Sequence, residues 1–222
     1  MGIHLSMMIN ERLEQSSITA GQCQRNWDHT RLMSTTDVDS LISIAMNMPT
    51  KQNVLQYELI AITNRDMIEE LFGIAVSVPN DSGYKTFTGN EFYRNGQVNA
   101  SLLLLWVTST ADDSDNIDAL DPANIDHYSK CIGAGISAGA TALAANALGY
   151  RTGFCSCFDN KQISRFIAKH TDTGEFLITS LGIGYPLAHL TRNHTLDEEH
   201  NIIMHTSSIK APYKQKIVTY IT

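Results

Sequence analysis

Residues 125–148 constrain the fold more than any other stretch. The run has helical length and is crowded with small side chains, among them Gly133, Ala134, Gly135, Ala138, Gly139 and Ala142. Small residues let a neighbouring backbone approach closely, so the pattern predicts a central helix packed all round, a feature suited to lying beside a dimer axis. Gly149 follows in the C′ position, where a left-handed residue ends a helix. The rest of the chain must therefore be arranged around one long inner helix.

Other elements read from period and punctuation. Residues 9–25 carry scattered apolar positions and form a helix candidate. Residues 34–37, Ser-Thr-Thr-Asp, supply N-cap chemistry for a second helix, in which Val38, Leu41, Ile42, Ala45 and Met48 recur at three and four residues. Residues 55–63 alternate as a strand and become apolar on both faces, which predicts a central position. Asn64 caps a helix with Ile68, Leu71 and Phe72 inward. Residues 101–107, Ser-Leu-Leu-Leu-Leu-Trp-Val, read as a fully buried strand. Residues 150–155 and 175–183 are further strands, with a helix opened at Asp159 or Asn160 between them. Residues 79–90 read as a polar loop. The β-branched run 216–221 looks like a last strand, placed to pair with a second subunit. Strands and helices alternate at wide spacing, which predicts a single α+β domain over residues 1–222 with a mixed central sheet flanked by helices.

Charge and composition exclude some classes. The 43% apolar content supports a core, and the formal net charge of −7 argues against a general nucleic-acid binder. No apolar run approaches membrane-span length, and the first ten residues lack a basic, then apolar, leader pattern. Cys23, Cys131, Cys155 and Cys157 show no disulfide framework, so a reduced, cytoplasmic protein is expected.

Several patterns point to chemistry that their context does not support. Gly133-Ala-Gly135-Ile-Ser-Ala138 fits G-x-G-x-x-A, but it lies inside a helical run with no strand before it. Cys155-Ser-Cys157 lacks the second ligand pair of a zinc site. The six aspartates of residues 111–126 lack the glycine and closing glutamate of a calcium loop. His189, His194, His200 and His205 lack helical metal-pair spacing and read as surface residues. No metal and no nucleophile or acid–base dyad is expected.

Between the second helix and the first strand, Met48-Pro-Thr-Lys-Gln-Asn53 makes a helix-to-strand turn. Pro49 stops the helix, and the turn presents Thr50, Lys51, Asn53 and free backbone N–H groups. That set suits an anion or the polar edge of a heterocycle.

Four segments, in order, carry a family resemblance. Gln24-Arg25-Asn26-Trp27-Asp28 is similar to an Arg-Arg-Ser-x-Arg motif, and Pro49-Thr50-Lys51-Gln52-Asn53 to Pro-Ser-x-x-Asn. Residues 142–150, Ala-Leu-Ala-Ala-Asn-Ala-Leu-Gly-Tyr, are similar to a helix ending Leu-Ala-Ala-x-Ala-Leu-Gly-Leu. Leu181-Gly-Ile-Gly-Tyr-Pro186 is similar to Leu-Gly-x-Gly-Tyr-Pro. Together they resemble the nitroreductase family of flavin oxidoreductases. The resemblance implies a nitroreductase-like homodimer with FMN at the subunit interface and a swapped C-terminal strand. It implies hydride uptake from NADH or NADPH and electron transfer to a nitroaromatic, quinone or related acceptor. A family-fold enzyme with other flavin chemistry (flavin fragmentation, dehalogenation, dehydrogenation) and a non-catalytic flavin-binding protein remain open alternatives.

Carried onto this chain, the resemblance implies that Arg25 and Asn26, with Trp27 in the same segment, reach the FMN phosphate or ribityl chain. Pro49, Thr50, Lys51 and Asn53 come from the partner subunit or line the isoalloxazine edge, and Asn95 faces the pyrimidine end. Ser156 and Cys157 fall where a backbone N–H meets flavin N5, and Arg192 matches a basic residue that contacts the phosphate. Two departures stand out. Asn26 replaces a serine, and Asp28 stands where an arginine is usual, which points to a phosphate site rebuilt around Lys51 and Arg192.

Overall fold

The computed structural model describes residues 2–54, 57–74, 76–77, 93–94, 96–108, 125–156, 158, 160–170, 176–187, 194–196 and 202–204. Helices α1 (Gly2–Ala20) and α2 (Thr35–Met46) precede strand β1 (Glu58–Ile62) and helix α3 (Arg65–Ile74). Short strands β2 (Val76–Ser77) and β3 (Tyr93–Arg94) pair with each other and lead to β4 (Leu102–Thr108). Then come α4 (Ile125–Ala147), β5 (Arg151–Cys155), α5 (Asn160–His170) and β6 (Phe176–Gly184). A small hairpin, β7 (His194–Leu196) with β8 (Ile202–Met204), follows.

Among the described residues the main sheet has four strands in the order β1-β4-β6-β5, and every pairing in it is antiparallel. The expected mixed sheet is therefore corrected. Among the described strands β1 also stands at the end of this order and not at its centre. Its apolar content on both faces reflects the helices above and below it, which burial patterns alone do not separate from a central position. The predicted loop 79–90 and terminal strand 216–221 lie outside the described residues.

β4 is buried on both faces from Leu102 to Val107. Leu102, Leu104 and Trp106 join α2 and α4 in one apolar layer, while Leu103, Leu105 and Val107 join α3 and α5 in the other. Period-2 alternation of a wholly apolar strand thus feeds two cores at once. Truncating any of these side chains to alanine costs about 2–5 kcal/mol.

The small residues of α4 do two jobs. Ala134, Ala138, Ala142 and Ala145 face the first core. Ser137 is buried among them: Trp106 Nε1 donates to its hydroxyl at 2.8 Å, and the hydroxyl donates to the Ala45 carbonyl at 2.7 Å. Tyr57 Oη donates to the same carbonyl at 2.9 Å. Ala45 lies in the last turn of α2, where carbonyls lack helical partners, so two side chains complete that helix end. The opposite face of α4 is open in the single chain, with Ile132, Gly135, Ile136 and Gly139 exposed. The described residues of the single chain leave this one stripe of the helix uncovered. Gly149 (φ +95°) ends the turn after α4, as its position predicts, and the Arg12 guanidinium donates to the Ala147 carbonyl from α1.

The remaining helices follow their patterns. Asn64 Oδ1 accepts from the Met67 N–H at 3.1 Å and caps α3. Ile163, Phe166 and Ile167 bury one face of α5. Lys169 pairs with Glu70 of α3 at 2.7 Å, an exposed bridge that contributes little. Gly133 and Gly135 fall inside α4, so the G-x-G-x-x-A pattern is helix interior. His194, read as part of a loop, opens β7.

Candidate functional site

On β5 and β6 the sequence places glycines where a side chain would have no room. Gly153 stands opposite Gly182 in the register, and Gly184 lies two residues further along β6. A Cβ on Gly182 would run into the Gln97 carbonyl oxygen, and one on Gly153 into the Gln24 carbonyl oxygen. A Cβ on Gly184 would meet the Trp27 ring at 3.2 Å and Ser101 Oγ at 3.1 Å. The bare strand surface is therefore a seat for two chain segments, residues 24–27 and 96–101. Close approach of one backbone to another is what strand glycines permit.

Hydrogen bonds lock residues 24–28 to β5 and the turn after β6, and tie Trp27 to Gly96. The Gln24 N–H donates to Thr152 O at 2.8 Å, and the Asp28 N–H donates to Tyr185 O at 2.8 Å. Trp27 forms an isolated bridge with Pro186, and its indole Nε1 donates to Gly96 O at 2.7 Å. Gly96 lies so near that an added Cβ would sit 2.8 Å from Arg25 O. The Gly-Tyr-Pro turn after β6 thus has a mechanical meaning: it holds the segment carrying Arg25, Asn26 and Trp27. Arg31 lies 3.6 Å over the Tyr185 ring and secures the turn from the outside. Tyr185 in turn packs on Tyr150, whose hydroxyl donates to Asp37 at 2.6 Å. Burial first, then the hydrogen bond to Asp37, pushes the Tyr150 hydroxyl pKa up.

The expected site residues divide sharply. Asn26 and Trp27 are buried in the seat, at 3% and 4% exposure. Arg25 is half-buried, and its Nη1 donates to Cys23 O at 3.4 Å. Pro49, Lys51 and Asn53 are exposed, on a 3-10 turn (Lys51–Asn53) beyond the end of α2. That turn closes on itself: Thr50 Oγ1 donates to Val54 O at 2.7 Å, and the Asn53 N–H donates to Thr50 O at 3.1 Å. Ser156 is exposed at the end of β5, with its hydroxyl 3.2 Å from Thr179 Oγ1. Asn95, Cys157 and Arg192 lie outside the described residues.

Asp28 is less of an obstacle to an anion than its position in the sequence implies. Its carboxylate accepts from the Thr30 hydroxyl at 2.6 Å and the Thr30 N–H at 3.1 Å, and these bonds hold its pKa below the ordinary carboxylate value. The charge is thus already engaged by a local turn.

Sequence reasoning missed one cluster beside the seat. Arg65, the first residue of α3, reaches back to Asn99, Ala100 and His29 as well as to Glu69 of its own helix. A signal was available. A cation at a helix N-terminus opposes the helix dipole, so an arginine there asks for partners outside the helix. A cleft of about 200 Å³ opens elsewhere, between β1, α3 and α5, and its walls include Ile60, Ile62, Met67 and Phe166. Its apolar lining does not suit a phosphate, and the polar groups that do are at the seat and the Thr50–Asn53 turn. Among the described residues no group of His, Cys, Asp and Glu could hold a metal ion, and no helix is long and apolar enough to cross a membrane.

Comparison with known proteins agrees with this fold. The nitroreductase family model matches residues 20–185. Among solved structures, a nitroreductase with bound FMN from Bacteroides fragilis superposes with a TM-score of 0.59 at 13% identity, over 83% of this chain and 94% of its own. A candidate NAD(P)H:FMN oxidoreductase from Staphylococcus epidermidis gives 0.57 at 15% identity, over 81% of this chain and 90% of its own. A nitroreductase from Bacillus subtilis gives 0.57 at 14% identity, over 82% and 70%. No curated protein matches the sequence. At these identities the structural likeness speaks for the fold alone.

Proposed function

The chain belongs to the nitroreductase family, and we propose that it works as an FMN-dependent oxidoreductase. In this reading it takes hydride from NADH or NADPH and passes electrons to a nitroaromatic, quinone or related small acceptor. The observation that carries the reading is the family match over residues 20–185, which spans the glycine seat and the Thr50–Asn53 turn together.

The donor set fits the cofactor. FMN carries a phosphate dianion, which calls for cations and N–H groups. Arg25 is half-buried with one long bond to a carbonyl, Lys51 is exposed, and the Asp28 carboxylate is engaged by Thr30. Arg25, Lys51 and Arg192 would hold the phosphate, and Asn26 and Thr50 the ribityl hydroxyls. Asn53 and Asn95 would bind the polar ring edge, and Ser156 and Cys157 would offer backbone N–H groups to it. Bound FMN supplies the hydride and electron chemistry. The protein's share is to bind it, orient it and keep one face open to the acceptor.

A homodimer belongs to the same reading. Ile132, Gly135, Ile136 and Gly139 make an exposed apolar stripe on α4 with room for a second helix: a Cβ added at either glycine meets nothing within 4 Å. In the same reading the run 216–221 would pair with the partner subunit.

The test is the visible absorption spectrum of the purified protein with and without added FMN, then under anaerobic NADH or NADPH. A flavin band that bleaches supports the reading and identifies the donor. A band that does not bleach favours other flavin chemistry or a binding role. No band after adding FMN rejects the cofactor.

A further inference from the structure

We propose that Arg65 is a positioning residue that ties residues 96–101 and the Trp27–Thr30 segment to the head of α3, so that both halves of the glycine seat move as one body. Its side chain, about one third exposed, spends its donors on three separate pieces of chain. Nε donates to Glu69 Oε1 at 2.8 Å within α3. Nη1 lies 3.3 Å from His29 Nδ1 and 3.4 Å from Ala100 O, and Nη2 donates to Asn99 Oδ1. An arginine cannot accept, so His29 Nδ1 must be the lone-pair nitrogen and the ring is neutral. Burial and the neighbouring guanidinium both lower the His29 pKa, in agreement with that assignment.

The tie matters because of what it joins. Gly96 and Gln97 lie against Arg25 and the seat glycines, and Trp27 clamps Gly96 from one side. Arg65 closes the other side through Asn99, which begins where the Gly96–Val98 turn ends. A planar guanidinium with five donors in fixed directions suits a three-way junction; a lysine in its place has one rotating head and cannot span it. That the junction flanks a flavin rests on the function proposed above. The tie itself does not.

Hydrogen–deuterium exchange tests the tie without any cofactor. In Arg65→Gln, peptides covering residues 22–31 and 96–101 are expected to exchange faster together, by roughly tenfold, the scale of losing a hydrogen bond to a charged group. The β4 core should stay protected. Glu69→Gln, which takes the charge out of the bond within α3 and touches neither segment, should leave both peptides unchanged. Exchange that is unchanged in Arg65→Gln, or that rises only within α3, overturns the proposal. If Arg65→Gln does not fold, Asn99→Ala removes one acceptor and should loosen residues 96–101; unchanged exchange there also overturns it. A companion FMN titration of the same variants separates the two ideas. If the unmutated protein binds no FMN, the function reading falls and the exchange result still decides the tie. If it binds FMN, Arg65→Gln should weaken binding by roughly tenfold and Glu69→Gln should not.

Discussion

The seat on β5 and β6 and the Thr50–Asn53 turn are the two places where this chain gathers groups suited to a flavin, and they are built in opposite ways. The seat is made of absences. Glycines clear the strands, two backbones lie on them, and Trp27, Asn26 and Gln97 are buried. The turn is made of presences. Pro49, Lys51 and Asn53 project into solvent, and Gln52 and Asn53 both sit at φ +57° with only a short local hydrogen-bond pattern to hold them. Left-handed backbone at two successive non-glycine residues costs of order 1 kcal/mol each. The seat is therefore packed within one chain, whereas the turn leaves Lys51 and Asn53 exposed.

The largest effect that would break the comparison is at Gly182. Gly182→Ala should destabilise the protein by several kcal/mol, since the added carbon has a backbone carbonyl in its way. Gly139→Ala, on the open stripe of α4, should be neutral or stabilise by up to about 1 kcal/mol in the monomer. Urea denaturation of the pair decides it; equal effects would mean that the seat is not tight. Next comes Trp27→Phe, which keeps an aromatic ring, reduces its size and removes the bond to Gly96 O. A loss of about 1–3 kcal/mol is expected by the same measurement.

Binding sharpens the comparison further. Lys51→Ala should lower FMN affinity roughly tenfold with no change in denaturation midpoint, as an exposed cation on a self-closed turn requires. Arg25→Ala should lower affinity and stability together. If neither variant alters affinity, the phosphate is held elsewhere. The smallest effect is acid sensitivity. His29, Asp28 and Glu69 all have lowered folded pKa values. The unfolded chain then takes up more protons as pH falls, so stability present above the ordinary values is lost below them. His29 acts first, as pH drops below its ordinary value of 6.5, and the carboxylates follow nearer 4. Denaturation at pH 7 and 5.5 should show the His29 share, and His29→Asn should remove it.

The elements were legible because their residues repeat. The leucines of β4, the alanines of α4 and the cap at Asn64 each announce themselves at a fixed period. The resemblance was legible because short motifs kept their order. What escaped was relational. The antiparallel order β1-β4-β6-β5 depends on pairings between residues far apart, and nothing local in residues 58–62 reports which neighbour they have. The role of Gly153 and Gly182 is set by what rests on them, and an isolated glycine gives no sign of it. Arg65 reads as an ordinary surface cation until Asn99 and His29 are seen beside it.

The seat also has a consequence for the order of assembly. Gln24 meets Gly153 and Gln97 meets Gly182, contacts that span most of the described chain. Neither docking surface exists until β5 has paired with β6, and closing such long loops is slow. The two segments are thus expected to settle after the transition state. Mutations there should speed unfolding and leave the folding rate nearly unchanged, which a chevron plot for Trp27→Phe would read directly. The part of the molecule that prepares for chemistry would then be the last to form and the first to let go.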